Sequence, residues 1–271
     1  MNFVIIGFGY IAIRHLEAIK MIKGNVVAVY DPHNSAGILD RYFPKAKFFN
    51  LFEEFDNFCQ HHQPDFVCVL SPNHLHRVHI SWAVSNRLPC ICEKPIAISK
   101  DDITNYIGLP VYPILQLRYH PNTTRLKIMK FINPKIEIEY CSPRGDWYKK
   151  SWKADERLSG GLLFNIGIHL FDLILHIFGP VESIINAYHS ENTETGEIKL
   201  FNGSVSYKLS IAPGEAKRLF IVNGEKYEFD SFFENLHNAC YWKIVQGKAI
   251  PIEDCFQSIY LIESIKLWKK I

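Results

Sequence analysis

Gly7-Phe8-Gly9-Tyr10-Ile11-Ala12 follows the apolar run Phe3-Val4-Ile5-Ile6 and opens a stretch, Ala12 to Ile22, whose apolar residues recur at helical spacing until Gly24. Strand, glycine turn and helix in that order make G-x-G-x-x-A a cradle for a dinucleotide. The first glycine permits the tight turn, the second lets a pyrophosphate reach the backbone, and Ala12 keeps helix and sheet close. The N-H groups of the helix N-terminus face the phosphates. Asp31 closes the next β-branched run, about 20 residues on, where a carboxylate grips a ribose 2′-hydroxyl and repels a 2′-phosphate. NAD is therefore expected rather than NADP.

Outward from this unit, short apolar runs alternate with helical patterns. Val26 to Tyr30, Phe66 to Leu70, Cys90 to Cys92 and Val111 to Leu117 are candidate strands. This rhythm predicts a doubly wound parallel Rossmann sheet over residues 1–119. Pro113 marks Val111 to Leu117 as an edge strand. The crossover before it, Lys100 to Ile107, is short for a sheet-covering helix, which predicts a trimmed corner or one covered by a partner subunit.

Beyond His120 the pattern changes to Lys135 to Ser142, Ser183 to His189, Glu197 to Ile211 and Lys217 to Phe229, with Asn202-Gly203 and Asn223-Gly224 as hairpin signals. Residues 120–271 are expected to form a C-terminal α+β domain with a large open antiparallel sheet. One long helix, Gly160 to Ile177, precedes most of its strands, and an amphipathic stretch, Ile252 to Trp268, ends the chain and is free to pack back on the first domain.

The 271 residues are 48% hydrophobic and 21% charged, with a net charge of +2 and no basic stripe. Such a chain buries a core and carries no electrostatic footprint for nucleic acid. The start of the chain reads as a strand rather than an export signal, and the run Phe164 to Gly179 as a buried helix rather than a membrane span. Seven cysteines, mostly in apolar runs, predict reduced thiols in a cytoplasmic protein.

Three further segments carry chemistry. Ser71-Pro72-Asn73-His74-x-His76 follows the fourth candidate strand, at the carboxyl end of the sheet where cofactors lie. Glu93-Lys94-Pro95 follows the buried run Cys90 to Cys92 and projects Lys94 at the same sheet edge, where an ammonium can exchange a proton with a hydroxyl carbon. Asn165 and His169, four apart, share one helical face, with Asp172 one turn further on. His74, His76 and His79 lack the other ligands of a metal site, and no metal is expected.

Gly7-x-Gly9-x-x-Ala12, Glu93-Lys94-Pro95 and Asn165-x-Gly167-x-His169-x-x-Asp172, in this order, resemble the glucose-fructose oxidoreductase / inositol dehydrogenase family of NAD(P)-dependent sugar dehydrogenases. Within it, Gly9-Tyr10-Ile11-Ala12-x-Arg14-His15, Ser71-Pro72-Asn73, Gln116-Leu117-Arg118-x-His120-Pro121, Arg144-Gly145-x-Trp147-Tyr148, Ser151-Trp152-Lys153 and Ser159-Gly160-Gly161 are most similar to the UDP-N-acetylglucosaminuronate 3-dehydrogenases of surface-polysaccharide synthesis.

The resemblance implies oxidation of the C3 hydroxyl of a UDP-linked aminouronic acid. It assigns proton transfer to Lys94 and His169, with Asn165 and Asp172 beside them. It adds Tyr10, Ile11, His76, Glu93 and Gln116 to the cofactor contacts, and it gives the substrate Arg118, Arg144, Tyr148, Lys153, Ser159 and Gly160. Asn165 stands where many relatives carry aspartate, which leaves Lys94 and His169 as contenders for the base. A homo-oligomer, dimer or tetramer, is implied, and no membrane partner. Another sugar or cyclitol as substrate, or a silent NAD-binding protein, are the competing readings.

Overall fold

A computed structural model describes residues 1–33, 36–229 and 235–268. It divides into two compact units, Met1–Ala97 with Asp101–Gln116 and Glu234–Asp254, and Ile98–Lys100 with Leu117–Phe233 and Cys255–Ile271.

The first unit is built on β1 (Asn2–Ile6), whose residues Phe3 to Ile6 are entirely buried. After it come α1 (Ala12–Met21), β2 (Asn25–Tyr30), α2 (Ala36–Tyr42), β3 (Lys47–Phe49), α3 (Phe52–His62), β4 (Phe66–Val69), α4 (His76–Ser85) and β5 (Cys90–Cys92). The short α5 (Lys100–Thr104) precedes β6 (Val111–Pro113). The strands are parallel in the order β3-β2-β1-β4-β5-β6, with the proline strand at the edge as its missing N-H demands. The order reverses between β1 and β4, the switch point at which such sheets bind ligands. Two details differ from expectation: β6 ends at Pro113, followed by a 3₁₀ turn at Gln116–Tyr119, and β3 is too short for its pattern to be read from sequence.

The second unit begins with α6 (Pro121–Ile128) and β7 (Lys135–Cys141), then α7 (Asp146–Lys149) and α8 (Glu156–Ser159). The expected long helix is present and continuous from Leu162, with a π turn at Leu163–Gly167 leading into α9 (Ile168–Phe178); Gly160 and Gly161, both at positive φ, separate it from α8. The helical run Glu156–Phe178 is long and apolar enough to cross a membrane by length and composition. It is instead the core helix of its unit. Phe171, Leu173 and Ile174 are fully buried, and Phe171 meets Tyr207 edge-on.

Four strands complete the sheet, β8 (Val181–His189), β9 (Thr193–Leu200), β10 (Gly203–Ser210) and β11 (Lys217–Val222), with the two-residue β12 (Glu225–Lys226). Alternation places Val205, Tyr207 and Leu209 inward and Ser206 and Lys208 outward. The hairpin at Asn223-Gly224 holds both residues at positive φ, as a two-residue I′ turn requires. The sheet, ordered β12-β11-β7-β10-β9-β8, is mostly antiparallel as expected, but β7 and β10 run parallel. Hairpins force opposite directions only on sequence neighbours, and a long helical segment separates these two.

The C-terminal segment divides between the units. α10 (Leu236–Val245), unread in the sequence, packs on α1 of the first, whereas α11 (Phe256–Leu267) packs on α9 of the second.

Candidate active site

At the switch point the chain leaves β1 through Gly7, whose N-H reaches the carbonyl of Tyr30 at 2.8 Å. Gly7 has φ +89°, and a Cβ there would lie 2.6 Å from the backbone nitrogen of Ser71, so only glycine allows the two loops to approach. Gly9 differs. A Cβ built on it meets nothing within 4 Å among the described residues, so none of them requires glycine there. Open backbone at the mouth of α1 is what a pyrophosphate needs, and the residues present fit a dinucleotide. Tyr10 beside it is exposed and Ile11 half-buried. Asp31 caps the arrangement: its Oδ2 accepts the Phe8 N-H at 2.6 Å and its Oδ1 the His33 N-H at 2.8 Å.

The loop after β4 is fixed from beneath. Ser71 Oγ bonds His79 Nδ1 at 2.8 Å, and Asn73 is buried. His76, expected among the cofactor contacts, is a correction: it is 1% exposed, and its ring nitrogens lie 2.8 and 2.7 Å from the carbonyls of Pro95 and Ser71. It ties the loop before α4 to the loop after β5 and offers no atom outward.

Glu93 is likewise internal. Its Oε1 accepts from His15 Nε2 at 2.9 Å and His237 Nε2 at 3.0 Å, and its Oε2 accepts the Lys94 N-H at 3.2 Å. Burial opposes ionisation, but the two imidazole donors hold its carboxyl well below the ordinary carboxylate range. His15 in turn is lowered, mainly by burial. Ligand atoms of His15, Glu93 and His237 lie within 4.8 Å of one another, close enough for a cation, although protons satisfy the same contacts. Residues so far apart in sequence carry no joint signal; only the place of His15 on the buried face of α1 hints at a role. Gln116 closes this unit, 2% exposed, with its Oε1 buried and lacking a partner among the described residues.

In the second unit, the π turn holds Asn165, and His169 stands half-buried in the first turn of α9. A π turn adds a residue to the helical circuit and commonly sits at functional sites. Asn165 Nδ2 donates to the carbonyl of Lys153 at 3.3 Å, and its side chain hydrogen-bonds the Tyr148 phenol. Burial raises the Tyr148 phenol. Lys153, though exposed as a residue, has an ammonium lowered by desolvation first and by the Arg144 charge second. Arg144 and Lys153 both flank the Trp147 ring, at 5.9 and 6.0 Å.

A cavity of about 620 Å³ opens here, with Tyr148, Lys149, Lys153 and Gly160 along its wall. Sequence reading missed its other charged groups: Lys266, paired with Glu156 at 2.7 Å, and His189, paired with Glu194 at 2.5 Å. Two expected substrate contacts have partners within the protein. Ser159 is fully buried, its Oγ accepting the Gly161 N-H, and Arg118 is spent on Asp172 in a two-point ion pair. Asp172, expected beside the His169 imidazole, is thereby a partner for Arg118.

Comparison with known proteins agrees with this anatomy. Residues 1–109 match the description "Oxidoreductase family, NAD-binding Rossmann fold" and residues 135–211 the GFO/IDH/MocA C-terminal domain. The WlbA (WbpB) dehydrogenase of Thermus thermophilus, solved with NAD and α-ketoglutarate, is 32% identical with a TM-score of 0.94, covering 100% of this chain and 96% of that one. Its structure with NAD and UDP-GlcNAcA gives 32% identity and a TM-score of 0.92 over the same shares. The glucose-6-phosphate 3-dehydrogenase of Bacillus subtilis is 26% identical over 93% of this chain and 78% of its own length.

Proposed function

The chain belongs to the Gfo/Idh/MocA oxidoreductase family and is an NAD-dependent sugar dehydrogenase, and we propose that it oxidises the C3 hydroxyl of a UDP-N-acetyl-aminouronic acid to the ketone in lipopolysaccharide O-antigen biosynthesis. The observation that carries the substrate assignment is the cavity lined by Tyr148, Lys149, Lys153 and Lys266 together with Glu156, Glu191 and Glu194, a mixed polar wall whose ammonium groups suit a diphosphate and a carboxylate and whose carboxylates suit sugar hydroxyls. Full-length similarity to a dehydrogenase solved with UDP-GlcNAcA supports the same substrate.

NAD⁺, when bound, supplies the hydride acceptor. The Gly7–Ile11 loop holds its pyrophosphate, Asp31 its ribose hydroxyls, and Ser71, Pro72 and Asn73 its far end. Lys94 or His169 removes the C3 hydroxyl proton. Asn165 orients the sugar by hydrogen bonding, and Arg144 with Lys153 anchors the anionic part. Free thiols at all seven cysteines fit a cytoplasmic enzyme, which works as a homo-oligomer.

A phosphorylated monosaccharide is the second reading, favoured by the similarity to the glucose-6-phosphate enzyme. Incubation with NAD⁺ and either a panel of UDP-sugars or glucose 6-phosphate, with and without a 2-oxo acid, separates the two by absorbance at the nicotinamide band. Turnover of UDP-GlcNAcA is expected, and turnover of glucose 6-phosphate alone overturns the assignment. Lys94→Met should abolish turnover while NAD still binds.

A further inference from the structure

We propose that His237, carried by α10, is a positioning residue for Lys94. The inference rests on the reading of Lys94 as a proton-transfer group. Glu93 adjoins Lys94 in sequence, and its carboxylate takes three donors: Nε2 of His15, Nε2 of His237 and the backbone N-H of Lys94 itself. A carboxylate held by one donor can rotate, whereas one fixed from three directions has a single orientation. The main chain that bears the lysine is fixed with it.

Donor counting sets the protonation states. An ionised carboxylate only accepts, so each imidazole must carry its proton on Nε2. The Nδ1 of His15 is then an acceptor, and Tyr241 O-H, 2.7 Å away, fills it. The Tyr241 oxygen also lies 3.1 Å from the Cys68 thiol. The Nδ1 of His237 is buried with no partner among the described residues. His15 and His237 are 0% exposed, so water cannot substitute for either donor.

His237 and Tyr241 are one turn apart on α10, and that helix packs on α1, which carries His15. The helix from the C-terminal part of the chain therefore completes the clamp from both ends. A simple core clamp would affect stability alone. A positioning clamp also moves the reacting amine, and a displacement of about 1 Å costs on the order of 100-fold in turnover.

The test compares His237→Leu, which removes the donor, with His237→Gln, which restores an N-H, using NAD⁺ and UDP-GlcNAcA. The expected result is a kcat about 100-fold lower in the leucine variant, recovered most of the way in the glutamine variant, with NAD affinity unchanged in both. A folded leucine variant with wild-type kcat overturns the inference. Should that variant fail to fold, ¹⁵N NMR of the wild-type protein decides: a proton on Nε2 of His237 supports the clamp, and the Nδ1-H tautomer, with a bare Nε2, overturns it. Lys94→Met keeps the two ideas apart. Its full turnover would remove Lys94 from the mechanism, whereas a dead Lys94→Met beside a normal His237→Leu removes the positioning role alone.

Discussion

The guanidinium of Arg118 grips the carboxylate of Asp172 at two points, Nη2 to Oδ1 at 2.6 Å and Nε to Oδ2 at 2.9 Å, with side chains only 8% and 3% exposed. A buried pair of this kind is worth little over an apolar replacement, yet breaking it strands a charge. Asp172→Ala is therefore expected to lower unfolding stability by about 3–5 kcal/mol in a denaturant titration. The double variant Arg118→Met with Asp172→Leu should regain most of the loss. An Asp172→Ala protein as stable as wild type would show that the pair does not anchor α9.

The two glycines of the cradle should respond differently. Gly7→Ala forces a Cβ into the Ser71 backbone at positive φ, so loss of soluble protein or a Tm drop of several degrees is expected. Gly9→Ala meets no atom of the described residues, so its stability should stay within about 0.5 kcal/mol of wild type. Its NAD affinity should fall at least about tenfold, because the methyl group occupies the space of the pyrophosphate. Titration of nicotinamide fluorescence with parallel melting curves reads both effects. Equal NAD affinity in Gly9→Ala would place the cofactor elsewhere.

Local chemistry explains what the sequence made legible. The parallel Rossmann sheet was legible from its alternating runs and from Gly7, Gly9, Ala12 and Asp31, because each acts through its own backbone or its strand end, whereas the strand order came from the structure. Asn165 hydrogen-bonds the Tyr148 phenol and the backbone carbonyl of Lys153, a juxtaposition of separate motifs that the structure supplied. What escaped was non-local. The internal partners of Glu93, His76 and Asp172, namely His15 and His237, two backbone carbonyls, and Arg118, lie far from them in sequence and left no local signal. The parallel β7–β10 pair was hidden because hairpin signals report only neighbouring strands.

Lys153 offers a direct probe of the cavity. Its ammonium is lowered by desolvation and by Arg144, and a bound anion opposes both effects. Lys153→Met should raise KM for the sugar nucleotide about 10- to 100-fold, equivalent to about 1.5–3 kcal/mol for a lost charge-assisted contact, with kcat nearly unchanged. Steady-state kinetics at saturating NAD⁺ give the split. A fall in kcat at constant KM would move Lys153 from anchoring to chemistry.

His79 sets a pH dependence whose direction follows from its burial. Desolvation, assisted by the charges of His76 and His74, lowers it from 6.5 to about 4 in the folded protein. The unfolded chain thus binds the proton more readily, so stability from this residue is whole above about pH 6.5 and is lost as pH falls toward 4. A difference of about 2.5 units corresponds to about 3 kcal/mol. His15 and His76, also lowered by burial, act in the same direction. The Tm of the wild-type protein should therefore decline between pH 6.5 and 4, and His79→Gln, which can still bond Ser71 but does not titrate, should decline less steeply. Parallel melting profiles for the two proteins would mean that His79 is protonated in the folded state as easily as in the unfolded one.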